Sequence, residues 1–333
     1  MNIVSVENNW DDNTLRIDIN LGNICNYKCW YCWPGSHEGT DYWPDLELIK
    51  KNTSHLINHY KHNSNKTIFD FHFVGGEPTH WPKLVDYVKF LKDNFNCLIS
   101  MTSNGSKKIE FWKKIVPYFD RVHLSGHNEF MNVEQFRDVA DLLYEHNVIV
   151  SVSMMMDPLA WNKCIEIVNY LKKSKHSWTI RYVELIGDNI VYTEEQKTVL
   201  KKFKARRANI FWFFKNNKHY RSKVKVIDDK GKSYKFHDNE ILLKKINQFN
   251  GWKCSVGVDW VHISRQGEIK GTCGQIPFGE SSYFNFYSEN FETEFKPVVQ
   301  YSTCTKIACW CGIETNMKKY KVDTKKVIPI YVN

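Results

Sequence analysis

Residues 25–32 read Cys25-Asn26-Tyr27-Lys28-Cys29-Trp30-Tyr31-Cys32, a C-x3-C-x2-C spacing. Three thiolates this close together can hold three irons of a cubane cluster and leave the fourth iron without a protein ligand. An iron with an open position is a place for chemistry, because a substrate or cofactor can bind it. Electron carriers of the ferredoxin type close the cluster with a fourth cysteine, and none follows within the same loop. The alternative is a structural zinc site. Zinc sites usually pair their cysteines two and two and close with a fourth ligand, so a lone triad suits iron–sulfur better.

Downstream, Leu46, Ile49, Leu56, Ile57 and Tyr60 recur at near-helical spacing. The run Ile68-Phe69-Asp70-Phe71-His72-Phe73-Val74 then reads as a strand that ends in Gly75-Gly76-Glu77-Pro78. Strand, helix and strand make a βαβ unit, whose two parallel strands deliver their following loops to the same edge. Gly75 and Gly76 let the backbone approach a ligand closely. Glu77 adds a carboxylate that can accept from an ammonium group.

The triad, with aromatic Tyr31 before its last cysteine, and the Gly-Gly-Glu run that follows resemble the signature of the radical S-adenosylmethionine (radical SAM) superfamily. The resemblance implies a [4Fe-4S] cluster on Cys25, Cys29 and Cys32. It implies S-adenosylmethionine as cofactor, with Gly75, Gly76 and Glu77 at its methionine amino group and Tyr31 among the cofactor contacts. The implied reaction is reductive cleavage to a 5′-deoxyadenosyl radical, which abstracts hydrogen from a substrate.

The β/α rhythm continues. Strand-like segments at 96–101, 121–124, 148–155 and 179–185 alternate with apolar helix faces such as Trp161, Cys164, Ile165, Val168 and Leu171. The expected fold class is α/β: a partial (β/α)6 TIM-like barrel whose C-terminal loops carry the site, followed by a small α+β extension. A (β/α)6 core is also what the resemblance implies. By position, the resemblance assigns Thr102, Ser103 and Asn104 after the third strand, and Ser125 after the fourth, to the cofactor's ribose or carboxylate. Arg181 on the sixth strand would pair with that carboxylate through its guanidinium. The plainer reading is that Ser-Asn-Gly is an ordinary turn and that Arg181 pairs with Asp157 or Glu184.

Five of the ten cysteines fall in the last 80 residues: Cys254, Cys273, Cys304, Cys309 and Cys311. Cys254 and Cys273 bracket a hairpin at 258–269 that turns at Arg265-Gln266-Gly267. The open end of a hairpin brings distant residues together, so the pair can share one metal centre. The Cys304-x4-Cys309-x-Cys311 triplet can supply the remaining ligands. This arrangement resembles the auxiliary-cluster extensions of radical SAM enzymes, the SPASM and shorter twitch domains, with Cys254, Gly267 and Cys273 matching in outline. Five cysteines fit the single-cluster twitch, which implies a second [4Fe-4S] cluster. The spacing of the last three departs from that pattern, and structural zinc is the rival. Cys97 and Cys164 lie in apolar surroundings and read as small buried hydrophobes.

The chain has 333 residues, 42% of them hydrophobic, enough for a core and a smaller extension. The expected domains are a radical SAM core at 1–195, a basic and aromatic connecting segment at 196–250, and a twitch-like extension at 251–333. No run of ~20 apolar residues suggests a membrane span, and the start shows no signal-peptide pattern. With clustered thiols, this points to a reducing cytoplasm. The formal net charge is +9, and residues 201–225 are the densest basic stretch, interrupted by Phe211, Trp212, Phe213 and Phe214. Such interleaving suits contact with nucleic acid. A solvated helix followed by a hairpin at 224–236 is the preferred reading.

The expected function is a radical SAM enzyme acting on a small polar molecule, a sugar or nucleotide derivative. An external donor such as flavodoxin or ferredoxin would reduce it, and an auxiliary cluster would take up an electron in a two-electron oxidation. Peptide or protein modification is the alternative within the class, and the short stretch before Cys25 disfavours it. From another class, the alternative is a non-catalytic iron–sulfur or zinc protein that binds nucleic acid.

Overall fold

The structure, a computed structural model, describes residues 2–8, 11–32, 35, 37–39, 43–185, 190–204, 224–236, 241, 244–270, 284–296, 300–309 and 315–322. In chain order the elements are β1 (Ile3–Glu7), β2 (Thr14–Asn20), α1 (Leu46–Asn63), β3 (Ile68–Val74), α2 (Leu84–Asn94), β4 (Cys97–Ser103), α3 (Ile109–Ile115), β5 (Arg121–Gly126), α4 (Val133–Glu145), β6 (Ile149–Met156), α5 (Trp161–Leu171), β7 (Thr179–Glu184) and α6 (Glu194–Lys204). There follow β8 (Val224–Asp228), β9 (Ser233–Phe236), β10 (Lys253–Cys254), β11 (Trp260–Ile263), β12 (Glu268–Lys270), β13 (Phe284–Asn285), α7 (Phe291–Glu294), β14 (Ser302–Thr303) and β15 (Lys319–Tyr320). The chain divides into two units, one of Ile17–Lys51 and Ile68–Asn216, the other of Met1–Arg16, Asn52–Thr67 and Asn217–Asn333.

The first of these units is built on strands in the order β2-β3-β4-β5-β6-β7, which is chain order. Strands β3 to β7 pair in parallel, and a helix lies between each strand and the next, as parallel crossovers require. The helices form because their apolar residues recur on one face. In α4, Phe136, Val139, Ala140 and Leu143 are buried, and Asn132 caps the helix by accepting from Gln135 N at 3.0 Å. In α5, Cys164, Ile167, Val168 and Leu171 are buried, so Cys164 is core, as its surroundings in the sequence suggested.

Alternation along the strands gives this sheet two unlike faces. Phe69, Phe71, Phe73, Ile99, Met101, Val122, Leu124, Val152 and Met154 are fully buried on one. The other carries His72, Thr102, His123, Ser151 and Arg181, none of them fully buried. Deeper on that side Arg121 donates to Asp70, both largely buried. Among the described residues no pairing joins β7 back to β2. Because the strands are parallel, the loops after β3, β4, β5 and β6 emerge at one edge.

The second unit contains an antiparallel sheet in the order β14-β10-β15-β1-β8-β9. Strands β8 and β9 form the hairpin expected at 224–236. Strands β11 and β12 form the expected second hairpin, with His262 opposite Lys270 and Gly267 at φ +83° in its turn. The last part of α1 belongs here too: His55 and His59 meet Phe291 and Phe295 edge-on. Lys66 and Asp259 form a buried ion pair at 2.7 Å.

The division differs from a contiguous core at 1–195. Strand β1 pairs with β8 and β15, so the first residues of the chain belong with its last. The basic and aromatic run from 205 to 223, Cys273 and Cys311 lie outside the described residues.

Candidate active site

The cysteine loop is held by the loop that follows β3. Gly76 N donates to Gly22 O and Glu77 N to Ile24 O, both at 2.8 Å. The approach admits no side chain: a Cβ on Gly76 would lie 2.3 Å from Ile24 O, and one on Gly75 2.4 Å from Gly22 O. Gly75 also sits at φ +138°, where L side chains are strained. The two motifs quoted from the sequence are thus joined through their backbones. Within the triad, Cys32 N donates to Cys29 O at 3.0 Å. None of the three is in a disulfide; Cys29 is buried, and Cys25 and Cys32 are half-buried. Among the described residues no three Cys, His, Asp or Glu side chains form a ready-made metal cage.

Glu77 is 1% exposed. Its Oε1 accepts from Thr79 N at 3.1 Å, Thr79 Oγ1 at 2.6 Å and Ser103 Oγ at 2.7 Å, and its Oε2 from Asn104 N at 2.6 Å. Burial raises its pKa, and these four bonds pull the other way. Asn104 reaches on to the cysteines: its Nδ2 donates to Asn26 Oδ1 at 3.0 Å and lies 3.7 Å from Cys25 Sγ. Glu77, Ser103, Asn104 and Cys25 therefore form one hydrogen-bonded group.

The other sequence candidates lie apart from that group. Thr102 faces the opposite side of β4, with Oγ1 3.3 Å from His72 Nε2. Ser125 stands beside Ser153 in register, and Ser153 beside Arg181. Arg181 Nη2 donates to Ser153 Oγ at 3.3 Å. Asp157, considered as its partner, instead accepts from Trp30 Nε1 at 3.1 Å.

The fold adds residues the motifs did not indicate. His127 Nδ1 lies 3.5 Å from Cys29 Sγ. Burial pulls His127 down to about 4, so the ring is neutral at pH 7. Burial pushes Cys29 up to about 12 and raises Cys25 as well. Both are protonated thiols that give up a proton when a metal binds. Tyr27 stacks on Phe130 at 5.4 Å. Beside the cysteine loop is a cavity of about 200 Å3 lined by Asn26, Tyr27, Asn104, Ser106, Phe130 and Gln135. His127 stood in the sequence at the end of a strand-like run, and no spacing marked it.

In the other unit, Cys254, Cys304 and Cys309 lie in one apolar core with Phe249, Val256 and Trp260. Cys304 N donates to Trp252 O at 2.7 Å, and Asn247 Nδ2 to Cys309 O at 2.8 Å. Burial raises the pKa of Cys254, with Cys304 close enough to add to the effect.

Residues 19–128 match the model of the family described as the Radical SAM superfamily. The chain is 28% identical over 141 residues to a "Probable GTP 3',8-cyclase" of Saccharolobus islandicus strain L.S.2.15 / Lassen #1, covering 42% of this chain and 42% of that relative. The protein of the same name from strain M.14.25 / Kamchatka #1 matches to the same extent, so less than half the length of these relatives is spanned. The solved structure "Native anSMEcpe with bound AdoMet and Cp18Cys peptide" aligns over 84% of this chain and 82% of its own, with TM-score 0.50 and 15% identity, a likeness of fold. No helix among the described residues is long and apolar enough to cross a membrane.

Proposed function

We propose that this enzyme, which carries a radical SAM domain over residues 19–128, uses S-adenosylmethionine to take hydrogen from a small polar substrate. The observation that carries the reading is the backbone joint between the cysteine loop and the Gly75–Glu77 loop, which sets the three cysteines, none in a disulfide, beside a buried carboxylate. The residues fit the implied groups. Three cysteines outside any disulfide stand in one short loop, and Cys25 and Cys29 are thiols whose protons a metal displaces.

Cys25, Cys29 and Cys32 would hold the [4Fe-4S] cluster, and the backbone at Gly75 and Gly76 would receive the methionine end of the cofactor. When bound, the two together supply one-electron cleavage of a sulfonium C–S bond and a 5′-deoxyadenosyl radical that abstracts hydrogen. The chain's own work is positioning. Glu77 holds Thr79, Ser103 and Asn104, and Asn104 in turn holds the cysteine loop through Asn26. Tyr31 and His127 cover Cys29 on one side and keep water from it.

For the substrate, the partial likeness to a GTP cyclase supports a sugar or nucleotide derivative. Cys254, Cys304 and Cys309, gathered in one core, support a second metal centre completed by Cys273 or Cys311, with iron–sulfur the reading and zinc its rival. The lack of disulfides among the described cysteines supports a reducing, cytoplasmic setting, where a flavodoxin or ferredoxin would deliver the electron.

The test is anaerobic. Reconstituted, reduced protein given S-adenosylmethionine should release 5′-deoxyadenosine, and no product above background would end the reading. Metal analysis of a chain lacking Cys25, Cys29 and Cys32 then separates the second centre: about four irons if it is a cubane, one zinc if it is structural.

A further inference from the structure

Parallel sheets are ordinarily covered on both faces by apolar side chains, and closed β/α barrels fill their interior with Val, Ile and Leu. The five parallel strands β3 to β7 depart from this on one face. Thr102, His123 and Ser151 stand side by side in register on β4, β5 and β6, each half-buried. One step nearer the loop edge, Ser125, Ser153 and Arg181 stand side by side on β5, β6 and β7. His123 Nδ1 is 2.6 Å from Ser151 Oγ, and Arg181 Nη2 is 3.3 Å from Ser153 Oγ. Two layers of hydroxyls with an imidazole and a guanidinium replace what would be core.

Arg181 is the unbalanced member. Its guanidinium is always charged, it is exposed, and it makes no ion pair with a carboxylate among the described residues. Arg181 rests away from the strand end that holds Glu77. An amino acid carries its ammonium and carboxylate on one carbon, within roughly 4 Å of each other. Asn104, which binds Glu77, follows β4, and Ser153, on which Arg181 rests, is two strands away. At ~4.8 Å per strand that is roughly 10 Å. A methionine end held at the Gly75–Glu77 loop would have to reach across those strands to meet Arg181 where it rests on Ser153.

The geometry points to a substrate site on this face that takes an oxyanion, a phosphate or carboxylate, on Arg181, with the hydroxyls of Ser125, Ser151 and Ser153 around it. Arg181 offers two parallel N–H donors to such a group. The serines and His123 suit the hydroxyls of a sugar-like skeleton beside it. The inference rests on the radical SAM reading, because it places the substrate on the sheet that bears the cysteine loop.

The experiment measures equilibrium binding of glycerol 3-phosphate, glycerate and glycerol to the reconstituted full chain by ligand-observed NMR, with S-adenosylmethionine present. At least tenfold preference for one of the anions over glycerol is expected. Preference for the phosphate or for glycerate says which oxyanion the site takes. Arg181→Gln should abolish the preference and Arg181→Lys restore part of it, with iron content and S-adenosylmethionine affinity within twofold of the parent. Equal binding of all three compounds overturns the inference, as does an anion preference that survives Arg181→Gln. A tenfold loss of S-adenosylmethionine affinity in Arg181→Gln also overturns it, since Arg181 would then serve the cofactor. A parent chain that binds no S-adenosylmethionine refutes the radical SAM reading instead, and does so before any variant is made.

Discussion

The Tyr31 hydroxyl lies 3.0 Å from Nδ1 of His127, and the two rings stack at 5.9 Å with only 11° between their planes. The pair encloses the Cys29 thiol in a place where an imidazolium would be poorly solvated. That explains the neutral ring and gives it a pH signature.

His127 falls to about 4 in the folded chain, below the 6.5 of a free imidazole, so the unfolded chain binds more protons between those values. Stability is therefore full above about pH 6.5 and is lost as pH falls toward 4. The whole shift is worth about 3 kcal/mol, and about 2 kcal/mol of it should disappear between about pH 7.5 and pH 5. Cys29, far above this window, does not interfere. Urea unfolding of the metal-free protein at the two pH values checks this, and His127→Asn should show the smaller loss. Equal losses would mean that His127 is charged in the folded chain.

Glu77 should matter before any cofactor binds. Its two oxygens face four donors, and Glu77→Gln turns one acceptor into an NH2 group among them. The metal-free variant should lose about 1–3 kcal/mol, read from its urea midpoint. An unchanged midpoint would confine the residue to ligand binding.

Gly76→Ala should damage a site it does not touch through any side chain of its own. The new methyl would meet Ile24 O at 2.3 Å, and relief requires moving the backbone just before Cys25. Iron per chain after anaerobic reconstitution should fall severalfold. Full iron loading would show that the loops can separate without cost.

Cys→Ala at Cys25, Cys29 or Cys32 should each abolish formation of 5′-deoxyadenosine and remove about half the iron if a second cluster is present. Cleavage retained by any one of the three would remove that residue from the ligand set.

What was legible in the sequence was local. The apolar face of α5 needs only neighbouring residues: Cys164, Val168 and Leu171, read on it in the sequence, are buried there, with Ile167 rather than Ile165 completing the face. What was not legible depends on distance along the chain. Strand β1 finds its partners in β8 and β15, whose residues lie more than two hundred positions away, and nothing in Ile3–Glu7 announces this. His127 meets Tyr31 across 96 positions. Glu77 read as a carboxylate open to an ammonium group because its donors Ser103 and Asn104 come from a different strand end, 26 and 27 residues on.

The joint between residues 22–24 and 75–77 is made by main chain alone, so the spacing of the two loops is indifferent to most side-chain identities and intolerant of changes in length. The joint makes no use of the exposed side chains of the cysteine loop, of which Asn26 and Trp30 reach elsewhere, to Asn104 and Asp157. A single residue inserted between Ile24 and Cys25 would shift every thiol relative to its clamp. For protein engineering, the two segments are one cassette: a cysteine loop grafted from another chain will work only if its companion glycine loop is transplanted with it.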